Sequence, residues 1–330
     1  MRTLRLVPVD ALGPLEATRR LLAQIWEWAG LDGMLVPVWI VGKRDPRPTL
    51  LANSAMLDRA DPFAPLMTTN AAPQAVEIIR RDPQRRFGLV LRPCELRSLR
   101  RLASRLLVSL GSSMVISTDC LATFPSEDFD WRLKQTSDYE RMTEEALHFA
   151  AQGGILPSRL RGTCQFCEQP YPVDADIQIE TIGLETSKHL VVNMADERLA
   201  LRIGLGNGSS GSVPPGLRDR REHVLGRLAS WRRQARAFAE SHLDAQQSTL
   251  PALIAHLKAC NSCREWLQAA CPLFALNWEA SHSGELTEEL DTGWLDACGG
   301  CGMCEHECPD AFPLPTVIGR LGRWAKVAVV

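Results

Sequence analysis

The sequence predicts an α/β (α+β) front domain followed by a mainly helical one, and three observations carry that prediction. Strand-like runs alternate with apolar positions at helical spacing through the first two hundred or so residues, the order that builds a parallel sheet with crossover helices. Gly206 to Pro215, reading Gly-Asn-Gly-Ser-Ser-Gly-Ser-Val-Pro-Pro, has the composition of a linker. Beyond it the patterns are helical and are broken by closely spaced cysteines. The boundaries so drawn are a front domain at 1–205, a linker at 206–216 and a helical domain at 217–330.

The elements follow in order. Leu4 to Val9 reads as a short strand. Pro14 to Trp28 reads as a helix, its apolar face made by Leu15, Leu21, Leu22, Ile25 and Trp26 and its end marked by Gly30 and Gly33. Leu35 to Val41 is a strand carrying a proline, and Asp45 to Met67 is rich in turn residues. Ala71 to Arg81 forms a helix. Phe87 to Arg92 and Ser113 to Ser117 are strand-like and flank a helix at Glu95 to Leu107, with Leu96, Leu99, Leu102 and Leu106 in register. Strand, helix, strand at this length is a βαβ unit with parallel neighbours. Cys94 and Cys120 then lie just past the carboxyl ends of adjacent strands, where open α/β sheets bind ligands. Asp128 to Leu133 is irregular, and Ser137-Asp-Tyr-Glu140 is a capping box opening a helix that Gly153-Gly154 closes. Ile177 to Ile182, His189 to Val192 and Leu199 to Ile203 read as strands. Leu217 to His242 and Pro251 to Ala259 read as helices, the first with a charged, solvated face. The glycines of the linker match no strand–glycine–helix phosphate fingerprint.

Composition excludes several classes. A chain of 330 residues has the length for two ordinary domains with buried cores. Its 45% hydrophobic and 23% charged residues are those of a soluble globular protein, and a net charge of −2 gives no footprint for nucleic acid or an anionic membrane. No window approaches the roughly 20 apolar residues of a membrane span. Met1-Arg-Thr-Leu-Arg-Leu-Val-Pro lacks the apolar run of a signal peptide. The apolar end from Trp324 to Val330 is expected to dock as a terminal helix or strand. A cytoplasmic location is expected, soluble or peripheral through a partner.

The cysteines carry the chemistry. Seven of the 11 fall between Cys260 and Cys308, which reads as metal ligation in a reducing compartment rather than disulfides. Cys298-Gly-Gly-Cys301-Gly-Met-Cys304-Glu-His-Glu-Cys308-Pro309 is a complete C-x2-C-x2-C-x3-C-P run, the thiolate spacing that holds a 4Fe-4S cluster. A zinc knuckle is the competing reading. The interleaved pattern of two-cluster ferredoxins assigns Cys271, Cys298, Cys301 and Cys304 to one cluster. Cys260, Cys263 and Cys308 then serve another that is one thiolate short. His256 is a candidate fourth donor there, against the plainer reading of a surface or helix-packing histidine. Without it that cluster is three-iron, solvent-ligated or absent. The 27-residue step from Cys271 to Cys298 favours a helical ferredoxin arrangement. His282 and His306 read as structural, and Trp266, Trp278 and Trp294 as an apolar shell around the clusters rather than as relays. In the front domain, Cys164-Gln-Phe-Cys167 is a further pair. If its loop folds over the edge bearing Cys94 and Cys120, four thiolates meet; on spacing alone they suit a cluster, a zinc ion or plain core cysteines.

Arg92-Pro-Cys94-Glu-Leu-Arg-Ser-Leu, Asp119-Cys120, and Cys164-Gln-Phe-Cys167 followed by Ala175-Asp176-Ile resemble the beta subunits of coenzyme F-420-reducing hydrogenases and F-420-linked formate dehydrogenases. Ala60-Asp-Pro-Phe-Ala-Pro-Leu-Met67 with Asn70 is similar to bacterial relatives that add a two-cluster ferredoxin segment. The resemblance spans roughly Leu50 to Gly183 and Cys260 to Leu314. It implies a front 4Fe-4S cluster on Cys94, Cys120, Cys164 and Cys167 beside an FAD, with coenzyme F-420 or NAD(P) as the hydride-carrying substrate. It also implies partner subunits of the formate dehydrogenase, hydrogenase or heterodisulfide reductase kind. The chain departs from that family in lacking a recognisable glycine-rich flavin loop and in two further places. Glu180 stands where a glycine is usual, and the stretch from Cys260 to Cys271 is about four residues longer. The expected function is thus that of an iron–sulfur, FAD-containing electron-transfer subunit of an oxidoreductase complex. Its rivals are a flavin-free electron-transfer module, favoured by the lack of a recognisable glycine-rich flavin loop, and a zinc-stapled interaction scaffold. No Ser/His/Asp or paired-carboxylate constellation argues for hydrolysis.

Overall fold

The computed structural model describes residues 2–40, 45–136, 138–154, 160–206, 213–246, 248–280, 294–295, 298–305, 308–310 and 312–322. Seven strands form one mixed sheet in the order β1-β7-β6-β5-β4-β2-β3. They are β1 (Thr3–Pro8), β2 (Gly33–Trp39), β3 (Pro46–Leu51), β4 (Phe87–Leu91), β5 (Met114–Thr118), β6 (Ile177–Glu180) and β7 (His189–Met194). The four central strands β2, β4, β5 and β6 run parallel; β3, β7 and β1 add antiparallel flanks. The expected βαβ unit is β4, α3 (Pro93–Arg105) and β5, with β4 and β5 adjacent and parallel.

Both sheet faces are covered, as parallel strands require. Alternation along the strands splits the core: Met34, Val36, Val90, Met114 and Ile116 point to one side. There they meet α1 (Gly13–Ala29), α5 (Tyr139–His148), α7 (Glu197–Arg202) and, from α8 (Pro215–Ser241), Val224 and Leu228. Leu35, Phe87, Leu89, Leu91 and Val115 point to the other side. There α2 (Ala72–Arg81) and α3 pack together with α9 (Leu250–Ala259), α10 (Asn261–Ala270), α11 (Pro272–Ala280) and α12 (Leu314–Leu321). Residues before 206 and after 216 therefore share both apolar layers.

Four sequence expectations are corrected. Within the turn-rich stretch from Asp45 to Met67 lies a strand, β3; it sits at a sheet edge, the one place where Pro46 and Pro48 are tolerated. Pro48 stands opposite Pro37 of β2, so neither side of that pair lacks a partner for a donated N–H. Asp128 to Leu133 is not irregular but part of α4 (Ser126–Thr136), whose acidic first turn and basic last turn suit the helix dipole. Only Phe129 of that helix is buried, too little to leave an amphipathic signature. Leu199 to Ile203 belongs to a helix rather than a strand, because Asp196 caps α7 by accepting from Leu199 N at 2.8 Å. The cap of α5 is Asp138, which accepts from Arg141 N at 3.1 Å; Ser137, the expected cap, lies outside the described residues, as do the hydrogen-bonding possibilities of His282, His306 and the Trp324 to Val330 tail.

Candidate metal centres

The carboxyl edge of the parallel strands carries the first centre. β4 ends at Leu91, and Cys94 follows in the first turn of α3; β5 ends at Thr118, and Cys120 follows two residues later. Cys164 sits in the short helix α6 (Gly162–Phe166) and Cys167 just past it. That segment is hung on the residues after β5: Cys120 N donates to Pro170 O at 2.7 Å and Arg161 N to Thr123 O at 2.8 Å. Cys94, Cys120, Cys164 and Cys167 consequently line one cleft, floored by Met67 and Arg92. Cys301, from the C-terminal run, lines it too. The C-terminal loop reaches it because position 299 is glycine. A Cβ there would come within 2.8 Å of Cys94 O and would collide with the Ser98 side chain.

The surroundings fit an anionic, thiolate-held group. Burial, then the neighbouring thiol of Cys120, pushes the Cys94 thiol well above its ordinary range, and burial pushes Cys120 up to about 11. Such thiols stay protonated unless a metal displaces the proton. Cations stand close by. Arg97 donates to Gly299 O at 2.9 Å and to Gln169 O at 3.2 Å, and its guanidinium lies 4.0 Å from Cys167 Sγ. Arg232 donates to Cys167 O at 2.8 Å, and Arg161 to Met67 O at 2.8 Å. Sequence reading missed these arginines as site components. Arg232 and Arg221 belong to the helix expected to show a solvated charged face, yet both are buried.

Strand-to-helix turns of such a sheet are ready-made phosphate sites. Among the described residues, buried carboxylates take up backbone N–H groups along this edge. Past β2, Asp61 accepts from Trp39 Nε1 at 2.9 Å, Thr143 Oγ1 at 2.6 Å and Phe63 N at 3.1 Å. Past β4, Glu95 accepts from Arg92 N and Ala71 N, both at 2.9 Å. Past β5, Asp119 accepts from Thr181 N at 2.7 Å, Ile182 N at 2.8 Å and both terminal nitrogens of Arg221, at 2.5 and 2.9 Å. Glu180, closing β6, pairs with Arg221 Nε at 3.1 Å and accepts from Asn193 at 2.9 Å. The residue that departs from the family pattern is thus part of the network that fastens α8 to the sheet.

The second group is Cys271, Cys298, Cys301 and Cys304. Cys271 caps the end of α10, its N–H donating to Leu267 O at 2.9 Å. Burial and then the Cys298 and Cys301 thiols raise Cys304, Cys301 and Cys298 are the charged neighbours that add to the burial of Cys271, and Cys298 is pushed up to about 11 by burial. Cys271 and Cys304 are buried in an apolar cluster with Leu253, Phe274 and Trp294, and Cys298 packs against it. Trp294 is buried and meets Phe274 edge-on, and Trp266 Nε1 donates to Met303 O at 3.0 Å. Both tryptophans thus have packing or tethering roles. The side chain of Trp278 lies outside the described residues.

The third group is His256, Cys260, Cys263 and Cys308, whose donor atoms all lie within 4.8 Å of one another. His256 is in the last turn of α9. Cys260 ends α9 and starts α10, and Cys263 is in the first turn of α10. The extra residues before Cys271 do not loop out. They extend α10, whose 10 residues hold Cys260 and Cys271 at opposite ends, about 15 Å of helix apart. All 11 cysteines are free thiols.

This fold has a solved counterpart. It is similar to a chain in the structure of the xenon-derivatised F420-reducing [NiFe] hydrogenase complex from Methanosarcina barkeri, with a TM-score of 0.52 and 11% identity, covering 72% of this chain and 92% of that one. At that identity the likeness is one of fold. No protein-family model matches the sequence, and neither does any curated protein.

Proposed function

We propose that the chain is an iron–sulfur electron-transfer subunit of a multi-subunit oxidoreductase, with one cluster on Cys94, Cys120, Cys164 and Cys167 and a second on Cys271, Cys298, Cys301 and Cys304. The observation that carries this reading is the convergence of four cysteines from separate segments on one sheet edge, with Cys301 of the second group in the same cleft. When bound, such a cluster takes up and releases single electrons. The chain's own residues hold the thiols, keep water away and supply compensating charge. Arg97 spans both groups, touching the Cys167 side and the Gly299 carbonyl beside Cys298, so one cation serves two neighbouring anionic sites. Buried thiols against apolar walls set potential through dielectric and hydrogen bonding. The hydrogenase complex to which the fold is similar supports a place among partner subunits of a redox assembly, such as a hydrogenase, formate dehydrogenase or heterodisulfide reductase-like partner. Among the described residues no helix is long and apolar enough to cross a membrane. The reading rests on the cysteines alone; an FAD, and with it hydride exchange with F-420 or NAD(P), is left to the flavin count below.

The test is anaerobic purification of the full chain followed by iron, sulfide and flavin counts. About eight iron and eight sulfide per chain are expected, falling by about four of each in Cys120→Ser. Iron unchanged by that substitution sinks the front assignment, and stoichiometric flavin released on denaturation adds an FAD to the reading.

A further inference from the structure

The sequence pattern treats Cys260, Cys263 and Cys308 as remnants of an iron–sulfur site lacking one thiolate. We infer that these three thiols and His256 instead form a closed mononuclear site for a zinc-class divalent ion, a structural clasp joining α9, α10 and the Cys308 loop. The donor set is complete at four, three thiolates and one imidazole, a combination typical of structural zinc. Its geometry points the same way. His256 Nε2 lies 3.4 Å from Cys263 Sγ and 3.4 Å from Cys308 Sγ, and no two donor atoms are more than 4.8 Å apart. Tetrahedral bonds of about 2.3 Å to sulfur and about 2.0 Å to nitrogen put neighbouring donors roughly 3.5–3.8 Å from one another. A four-iron cubane places each thiolate on a different corner iron and needs a wider ring of donors. Among the described residues this is the one group of three or more His, Cys, Asp or Glu drawn so close.

The setting fits a structural ion. Cys263 and Cys260 are buried and the other two donors half-buried, and four donors leave a tetrahedral ion no open position. The imidazole is held flat against Phe312, with ring centroids 4.0 Å apart and an interplanar angle of 8°, so its Nε2 is aimed before any ion arrives. Two helices meet at Cys260, where Arg264 of α10 donates to the Leu257 and Lys258 carbonyls of α9, and a clasp there fixes their angle. That angle sets where α10 presents Cys271, at its far end, to the second cysteine group.

The inference stands apart from the proposed electron-transfer role, and one measurement separates them. Zinc and iron are counted together on the full wild-type chain, on Cys120→Ser and on Cys263→Ser. The expected result is about one zinc per chain in the first two and a loss of zinc, with iron retained, in the third. Zinc without iron would remove the electron-transfer reading and keep this one. Iron near twelve per chain with no zinc, or no zinc at all, overturns it, whichever way the variants behave. His256→Ala should hold zinc at least about tenfold more weakly against a chelator, since even outer-shell partners are worth that much. His256→Cys should keep zinc; a gain of iron in that variant shows a cluster site and refutes the inference.

Discussion

Arg221 is the residue on which most of the buried charge turns. Its guanidinium meets Asp119 and Glu180 and also donates to Ile182 O at 2.9 Å, with only 11% of the side chain exposed. Removing one partner of a buried pair leaves the other charge unpaired, which costs about 3–5 kcal/mol. Arg221→Leu is therefore expected to lower unfolding free energy in urea by about that amount, and a loss below about 1 kcal/mol would show that Asp119 is compensated elsewhere. None of this was legible in the sequence. Arg221 lies in a run of alternating charges that a solvated helix explains equally well, and its partners are roughly 40 and 100 residues away. Cys94 and Cys120, by contrast, were placed correctly from strand and helix periodicity alone, because a βαβ unit leaves little freedom in where its strands end.

At the scale of elements, α8 and α10 do the positioning. Gly183 lets α8 lie against the sheet edge: it has φ +80°, and a Cβ there would sit 2.8 Å from Arg221 Cα. Gly183→Ala should cost about 1–3 kcal/mol and push α8 outward, seen as a lower Tm and faster proteolysis near residue 215. An unchanged Tm would mean α8 rides on its apolar contacts alone. The extra residues between Cys260 and Cys271 had an ambiguous reading, loop or helix. The structure makes them helix, and the physical reason is the amphipathic run that buries Cys263 and Leu267 on one side. Short elements were the ones misread. β3 with its two prolines and α7 with its six residues hold too few positions for a period to show, and edge position or a single aspartate cap decided them.

For the whole molecule, the sites are joints between segments remote in sequence. The front cleft takes cysteines from the sheet edge and from residues 164–167, a cation from α8 and Cys301 from the C-terminal run. Any ion or cluster bound there ties these parts together in the native state only, which raises stability by mass action. Stripping metal from the anaerobic chain is thus expected to lower Tm and to broaden the melting transition, with calorimetry against the loaded protein as the check; identical melting curves would show that apolar packing alone holds the segments. The ferredoxin spacing of the C-terminal cysteines was legible because it is local and repetitive. The fit of His256 to them was readable only as a possibility, since three helical turns and a loop must agree before its Nε2 arrives.

The two prolines of β3 have a consequence for solubility. Pro37 and Pro48 face each other across the β2–β3 ladder, where neither could donate, so residue 48 and its even-numbered neighbours direct their N–H positions away from the sheet. Pro46 and Pro48 therefore erase two of the three outward donors of this edge and leave only Leu50. A strand from another molecule finds almost nothing to zip against, the same protection that natural sheets obtain from edge prolines. Replacing both with threonine should raise self-association in light scattering at high concentration while leaving metal content untouched. In a chain whose free thiols already invite intermolecular trouble, a silent edge removes a second route to aggregation.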